Sequence, residues 1–230
     1  MGSVGSGNNT ITPQQEKALN KIANKTRNLK NEQYRIVDKD GNVLLSKQGK
    51  EHEVSATVGE KRQFMSGNIG IHNHPEGGTF SSADFRDFGF GATEIWAAAP
   101  EGTYKLINTR VGKDNQFSGW NDMQEAYEKA IDTDMSYITL RNEAQKTPHI
   151  KTMMNEMSSI SKEFMEKKNS GASQATLDAL GKKYDTLEAR YKTEIKKEIR
   201  RLEVEPNHEW LKKNASKYGF KYVFEEKKKK

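Results

Sequence analysis

The chain has no cysteine, so neither a disulfide nor a thiolate metal site can be built. Any bound metal must be held by histidine and carboxylate. Long hydrophobic runs are missing too: nothing approaches the roughly 18 to 20 uninterrupted apolar residues that span a bilayer. The opening MGSVGSGNNT has none of the basic, apolar and small-residue order of a secretory signal. Residues 1–10 read instead as a linker or an expression scar. These absences fit a chain of the host cytoplasm, or one associated with a virion or effector. Only 33% of the residues are hydrophobic against 30% charged, a balance that suits a modest core with a long solvated helical part.

A concentrated charge of one sign is also lacking. The net charge of +6 invites a nucleic-acid partner, so its distribution decides the matter. Residues 1–120 contribute +2 and residues 121–230 contribute +4, and Lys227 to Lys230 account for all of the second figure. What remains is an interspersed mixture rather than a basic stripe. Lys182, Lys183, Arg190, Lys192, Lys196, Lys197, Arg200 and Arg201 alternate with Asp185, Glu188, Glu194 and Glu198. Pairing at i,i+4 explains that pattern without a partner. Neither nucleic acid nor membrane is an expected partner.

What is present reads as an α/β unit followed by helices. Residues 13–30 predict a helix, with Pro13 in its first turn and Ala18, Leu19, Ile22, Ala23 and Leu29 on one face. Asp40-Gly41 between two apolar runs predicts a hairpin. Alternation through residues 52–58 predicts a further strand, and NIGIHNHP a strand running into histidines. EIWAAAP and GTYKLIN predict two more, joined by a Pro-Glu-Gly turn. From Trp120 to about Val204 the sequence is helix-forming, with Pro148 its one proline. Met153, Met157, Ile160 and Phe164, and then Leu177 through Leu202, predict an antiparallel helical hairpin about the turn KKNSGASQ. A short helix, a stop at Gly219 and an alternating strand follow. The expected division is residues 1–10, an α/β unit over 11–119, a helical hairpin insertion over 120–205, a returning helix and strand over 206–226, and a basic tail over 227–230.

The chemistry-bearing stretch is His72 to Asp84. Two histidines at i and i+2 on an extended segment can converge on one cation if the chain turns at once, and Pro75 with Gly77-Gly78 supplies a turn. Asp84 sits in the first turn of a helix announced by Ser81 and Ser82, from where its side chain can swing back. His₂Asp leaves a fourth tetrahedral position open, the arrangement of a catalytic zinc rather than a structural one. The alternative is a polar turn that holds no metal. A His-Asn-His nuclease motif is disfavoured, because its histidines stand far apart on a hairpin and a helix.

His-x-His-Pro followed by Ser-x-x-Asp resembles the JAMM motif of MPN-domain zinc metallopeptidases, deubiquitinase-type isopeptidases among them. Asn73 between the histidines makes it most similar to RadC-type and phage- or toxin-associated JAB-like domains. The resemblance covers about residues 30–110. It departs in one respect: five residues, Glu76 to Phe80, separate the proline from the serine where six are commonest. It implies an MPN/cytidine-deaminase-like mixed sheet with flanking helices, to which the helical hairpin is inserted or appended. It also implies a Zn²⁺ cofactor on His72, His74 and Asp84 and hydrolysis of a peptide or isopeptide bond in a protein or peptide substrate, ubiquitin-like proteins included. A general-base glutamate upstream is implied as well. Glu32, ahead of the QYRIV strand, matches that order best, with Glu51 and Glu53 as rivals. Ser81 would correspond to the family serine that helps stabilise the oxyanion; its other role is to cap a helix. Glu76 lies near the metal and is assigned no role. Two other readings stay open: a metal-binding module that cleaves nothing, acting in phage assembly or DNA-associated work, and a toxin or effector domain of a larger protein. The helical hairpin reads as a brace or an oligomer seam, or else as a clamp for a partner.

Overall fold

The structure is a computed structural model that describes residues 11–50, 54, 56–113, 118–131 and 137–227. It divides into two compact units, residues 1–132 with 204–230, and residues 133–203. The first is a mixed α/β fold on one six-stranded sheet. Helix α1 (Pro13–Thr26) opens with a capping box in which Thr12 and Gln15 satisfy each other's backbone N–H groups. Strands β1 (Gln33–Val37) and β2 (Val43–Gln48) pair antiparallel. Asp38 Oδ1 accepts from the Asp40 and Asn42 amides in their turn, and Gly41 supplies the left-handed φ of 86°.

Helix α2 (Val58–Phe64) begins at the last residue of the strand that alternation predicts through residues 52–58, and Val54, Ala56 and Thr57 ahead of it belong to no strand. Thr57 and Glu60 form a second capping box, and that local signal outweighs the alternation of Val54, Ala56 and Val58. Residues 52, 53 and 55 of the expected strand, Glu53 among them, and Glu51 ahead of it lie outside the described residues.

Strand β3 (Ile69–Asn73) pairs antiparallel with β1 and parallel with β4 (Glu94–Ala99). Strand β5 (Gly102–Asn108) pairs antiparallel with β4, and β6 (Phe220–Glu226) closes the edge, giving the order β2-β1-β3-β4-β5-β6. Parallel neighbours cannot be joined by a hairpin, so residues 74–93 must cross over a face of the sheet. That crossover carries a 3₁₀ turn (Ser82–Phe85) and the short α3 (Arg86–Gly89). On one face Ile69, Ile71, Trp96 and Ala98 bury Leu19 and Ala23 of α1. The other face packs Tyr34, Ile36, Ile95 and Ala97 against Phe80, Phe85 and Phe88 of the crossover. Strand alternation puts Gly70 and His72 on this second face.

Helix α4 (Trp120–Ile131) buries Met123 and Tyr127 in the second-face core. The first unit therefore reaches residue 132, beyond the boundary expected at 119. Helices α5 (Tyr137–Lys146), α6 (Pro148–Asn169) and α7 (Gln174–Asn214) complete the helical part. The short helix expected after Pro206 is not separate, since α7 runs through that proline. An interior proline costs a helix about 3 kcal/mol; Leu211 and Ala215 beyond it are buried in the sheet's core, which offsets the loss. Within residues 133–203, Leu140, Ala144, Ile150, Ile195 and Ile199 form the core, and the seam thins to half-buried Leu177, Leu180 and Tyr184 near the turn. Lys192, Lys197 and Arg201 pair with Glu188, Glu194 and Glu198 along α7. No helix among the described residues is long and apolar enough to cross a membrane.

Candidate metal centre

The site forms where β3 ends. His72 and His74 project from the same face of the strand end, and the crossover returns Asp84 to them. One ligand atom from each of the three lies within 4.8 Å of the other two. The His72 and His74 Nε2 atoms are 2.9 Å apart, and His72 Nε2 is 3.4 Å from Asp84 Oδ1. Tetrahedral ligands on zinc stand about 3.3 Å apart, given bonds of about 2.0–2.1 Å. The carboxylate distance matches that figure, and the nitrogens need open by only a few tenths of an ångström. Among the described residues these are the only three His, Cys, Asp or Glu side chains grouped so.

The surroundings fix how each donor points. His74 Nδ1 lies 3.2 Å from the Gly78 carbonyl, so that nitrogen carries the proton and Nε2 presents a lone pair to the centre. Asp84 Oδ2 accepts from the Ser81 amide at 2.7 Å and from the Ser81 hydroxyl at 2.9 Å, leaving Oδ1 for His72. Ser81 is thus the N-cap of the 3₁₀ turn, and it orients a ligand as it caps. The His74 lone pair, the Asp84 carboxylate and the His72 nitrogen once its proton leaves can meet at one point, a donor set that suits a divalent cation in its chemistry as well as its spacing.

Asn73, between the histidines, faces the other way. Its Oδ1 accepts from the Gln33 amide at 2.7 Å, and its Nδ2 donates to the Leu29 and Asn31 carbonyls at 3.4 Å. The segment before β1 is thereby tied to the strand that bears the histidines. Tyr34 pairs with His72 in the β1–β3 register. Glu32, two residues earlier, belongs to the same face and lies near enough for its charge to raise the His72 pKa. Glu76 is exposed.

One group of buried polar residues escaped the sequence. Asp87, three residues past Asp84 and 3% exposed, accepts from Tyr34 Oη at 2.7 Å and pairs with Lys61 Nζ at 2.6 Å. Burial pushes the Asp87 carboxyl up, against the pull of Lys61 and Tyr34. A Cβ at Gly70 would meet Asp87 Oδ2 at 2.9 Å, so glycine there lets the crossover sit down on β3. The Thr57 capping box is the one sequence signal for the helix that brings Lys61.

The protonation of the three candidate ligands sets a pH dependence. Burial pushes the His72 pKa down, but the charge and hydrogen bond of Asp84, with Glu32 and Asp87 behind, hold it above the ordinary histidine value. Burial pushes Asp84 up, yet His72, His74 and the Ser81 amide hold it well below the usual carboxylate range. His72 therefore stabilises the metal-free fold fully below its unfolded value, and that contribution is lost as pH rises through its raised value. Asp84 contributes above its unfolded value and is lost as pH falls through its depressed one. The metal-free melting temperature is expected to fall from mildly acid to alkaline pH. A zinc ion taken up by these three side chains would have to displace the His72 proton, and its binding would then weaken about tenfold per pH unit below the raised value. Competition titrations between pH 6 and 8 check this, and a flat profile would remove His72 from the ligands.

Comparison with family models, with curated proteins and with solved structures gave no match to this chain.

Proposed function

We propose that the chain is a zinc-dependent hydrolase of peptide or isopeptide bonds in a protein substrate. The observation that carries this reading is the convergence of His72 Nε2, His74 Nε2 and an Asp84 oxygen, with the other nitrogen of His74 committed to the Gly78 carbonyl. Three protein ligands leave the fourth tetrahedral position to water or substrate, as catalytic zinc sites do. Zinc held there would supply a water acidic at about pH 7 and a Lewis acid for the scissile carbonyl.

This chain's own residues do the rest. Glu32 accepts the proton of the attacking water and returns it to the departing amine. Its nearness to His72 supports that role. To stabilise the developing oxyanion the Ser81 hydroxyl would have to leave Asp84 Oδ2, which would keep its bond from the Ser81 amide.

Elemental analysis tests the reading first. About one zinc per chain is expected after loading, and none in His74→Ala. A folded wild type that cannot be loaded would sink it. A module that holds metal and cleaves nothing is the second reading. It is favoured by the Ser81 hydroxyl, whose single proton is spent on Asp84. Loaded protein inert towards every amide offered would put that reading first.

A further inference from the structure

The loop between the ligands, residues 75–80, is shorter than the commonest form of the motif, yet it brings the ligands together. It is held by side chains that arrive from later in the chain. The Phe80 carbonyl accepts from Tyr127 Oη at 2.7 Å, and Thr79 Oγ1 lies 2.9 Å from Tyr222 Oη. The third hold reaches a ligand most directly. Glu101, in the β4–β5 turn, accepts the Gly78 amide on Oε1 at 2.8 Å. That oxygen also accepts from Tyr104 Oη at 2.8 Å, which keeps the carboxylate from swinging away.

Gly77 and Gly78 take φ of 92° and 103°, a region closed to most side chains. A Cβ at Gly77 would come 3.0 Å from Glu101 Oε2. The two glycines therefore provide both the backbone turn and the room for the carboxylate. The Gly78 carbonyl is the group that faces His74 Nδ1. The β4–β5 turn is itself pinned from below. Buried Arg27, 4% exposed, donates Nη1 to the Ala99 and Gly102 carbonyls on either side of it, and Nη2 to Thr103 Oγ1 at 2.7 Å. A line of contacts thus runs from the end of α1 through the turn to Glu101, then Gly78, then His74.

We infer that Glu101 is a positioning residue of the metal centre, fixing the orientation and tautomer of His74 through the Gly78 backbone, whose N–H it holds and whose carbonyl faces His74 Nδ1. The inference rests on the zinc reading above and adds a residue outside the motif to it. The two groups lie in adjoining peptide planes joined by the φ and ψ of a glycine, so the Glu101 bond holds those dihedrals where they aim the carbonyl at His74 Nδ1. Without the Glu101 oxygen they can relax, the carbonyl can turn away, and the imidazole loses the acceptor that keeps its proton off Nε2. Loss of an outer hydrogen-bond partner weakens metal binding by about 10- to 100-fold. Glu101 acts one link further out, so about tenfold is expected.

The test compares wild type, Glu101→Ala, Glu101→Gln and His74→Ala. Zinc affinity is read by competition with a chromophoric chelator, the visible bands of the Co²⁺-loaded proteins report coordination geometry, and melting temperatures are taken metal-free. Glu101→Ala should bind zinc about tenfold more weakly with altered Co²⁺ bands and a metal-free melting temperature near wild type. Glu101→Gln keeps an acceptor oxygen for Gly78 and Tyr104, and should restore wild-type affinity and bands. Equal zinc affinity and bands in wild type and Glu101→Ala, with His74→Ala empty, would overturn this inference and leave the zinc reading standing. No zinc in wild type would overturn both.

Discussion

Glu32→Gln is expected to lower amide hydrolysis by about 10²- to 10⁴-fold while the zinc content stays at the wild-type level. Glutamine keeps the shape and an acceptor oxygen, so the segment before β1 should hold its place: Gln33 remains tied to Asn73, and the Glu32 backbone still pairs with Gly49 and Lys50. In the mechanism proposed above, what is lost is the ability to take a proton from water and pass it on. A second consequence separates this from simple damage. The Glu32 charge is one of those that hold the His72 imidazolium up, so its removal should shift the pH dependence of zinc binding to lower pH. Rates on quenched fluorescent peptides and lysine-linked isopeptides, taken with elemental zinc, check the first part. Competition titrations check the second. Undiminished hydrolysis by loaded Glu32→Gln would end its assignment as the base, whatever the metal content.

The parts of the site legible in the sequence are those that depend on short-range order. Residues at i and i+2 on a strand share a face, which is why spacing alone pairs His72 with His74. Ser81 three residues before Asp84 is a capping signal, and the cap is what aims the carboxylate. The α/β order and most strands follow from alternation and turn residues. What is not legible joins residues far apart. Lys61 meets Asp87 from 26 positions away and Tyr34 meets it from 53, and no local pattern marks a salt bridge that only a crossover can close. Glu101 reads as one residue of a Pro-Glu-Gly turn. Two elements depart from expectation because signals compete there. Alternation through Val54, Ala56 and Val58 conceals the Thr57 cap, and Pro206 has the look of a boundary although the apolar face continues to a buried Leu211.

Asp87→Ala is expected to be the most destabilising single change near the site, by about 3–5 kcal/mol, the range for breaking a buried ion pair by removing one partner. The loss leaves the Tyr34 hydroxyl buried without its acceptor and the Lys61 ammonium, 15% exposed at its side chain, without its counter-charge. Lys61 can still lean towards water, which favours the lower end of that range. Against a typical total of about 5–15 kcal/mol, even that end is a large fraction. Asp87→Asn should cost less, since an amide oxygen can still accept from Tyr34. Lys61→Met gives the complementary case. Burial already raises the Asp87 carboxyl and Lys61 opposes that rise, so removing the lysine should raise it further. A raised carboxyl means that the folded state binds more protons than the unfolded one. The Lys61→Met protein should therefore lose stability as pH climbs through the Asp87 range, while Asp87→Ala, with no group to titrate there, should not. Urea denaturation midpoints of the three variants across pH measure this. The consequence reaches the metal because Asp87 seats the crossover on β3 at Gly70, and the same crossover carries Asp84. Zinc affinity should fall in Asp87→Ala even at temperatures where the protein is fully folded. An Asp87→Ala protein as stable and as avid for zinc as wild type would show that Phe85 and Phe88, buried beneath the crossover, hold it down unaided.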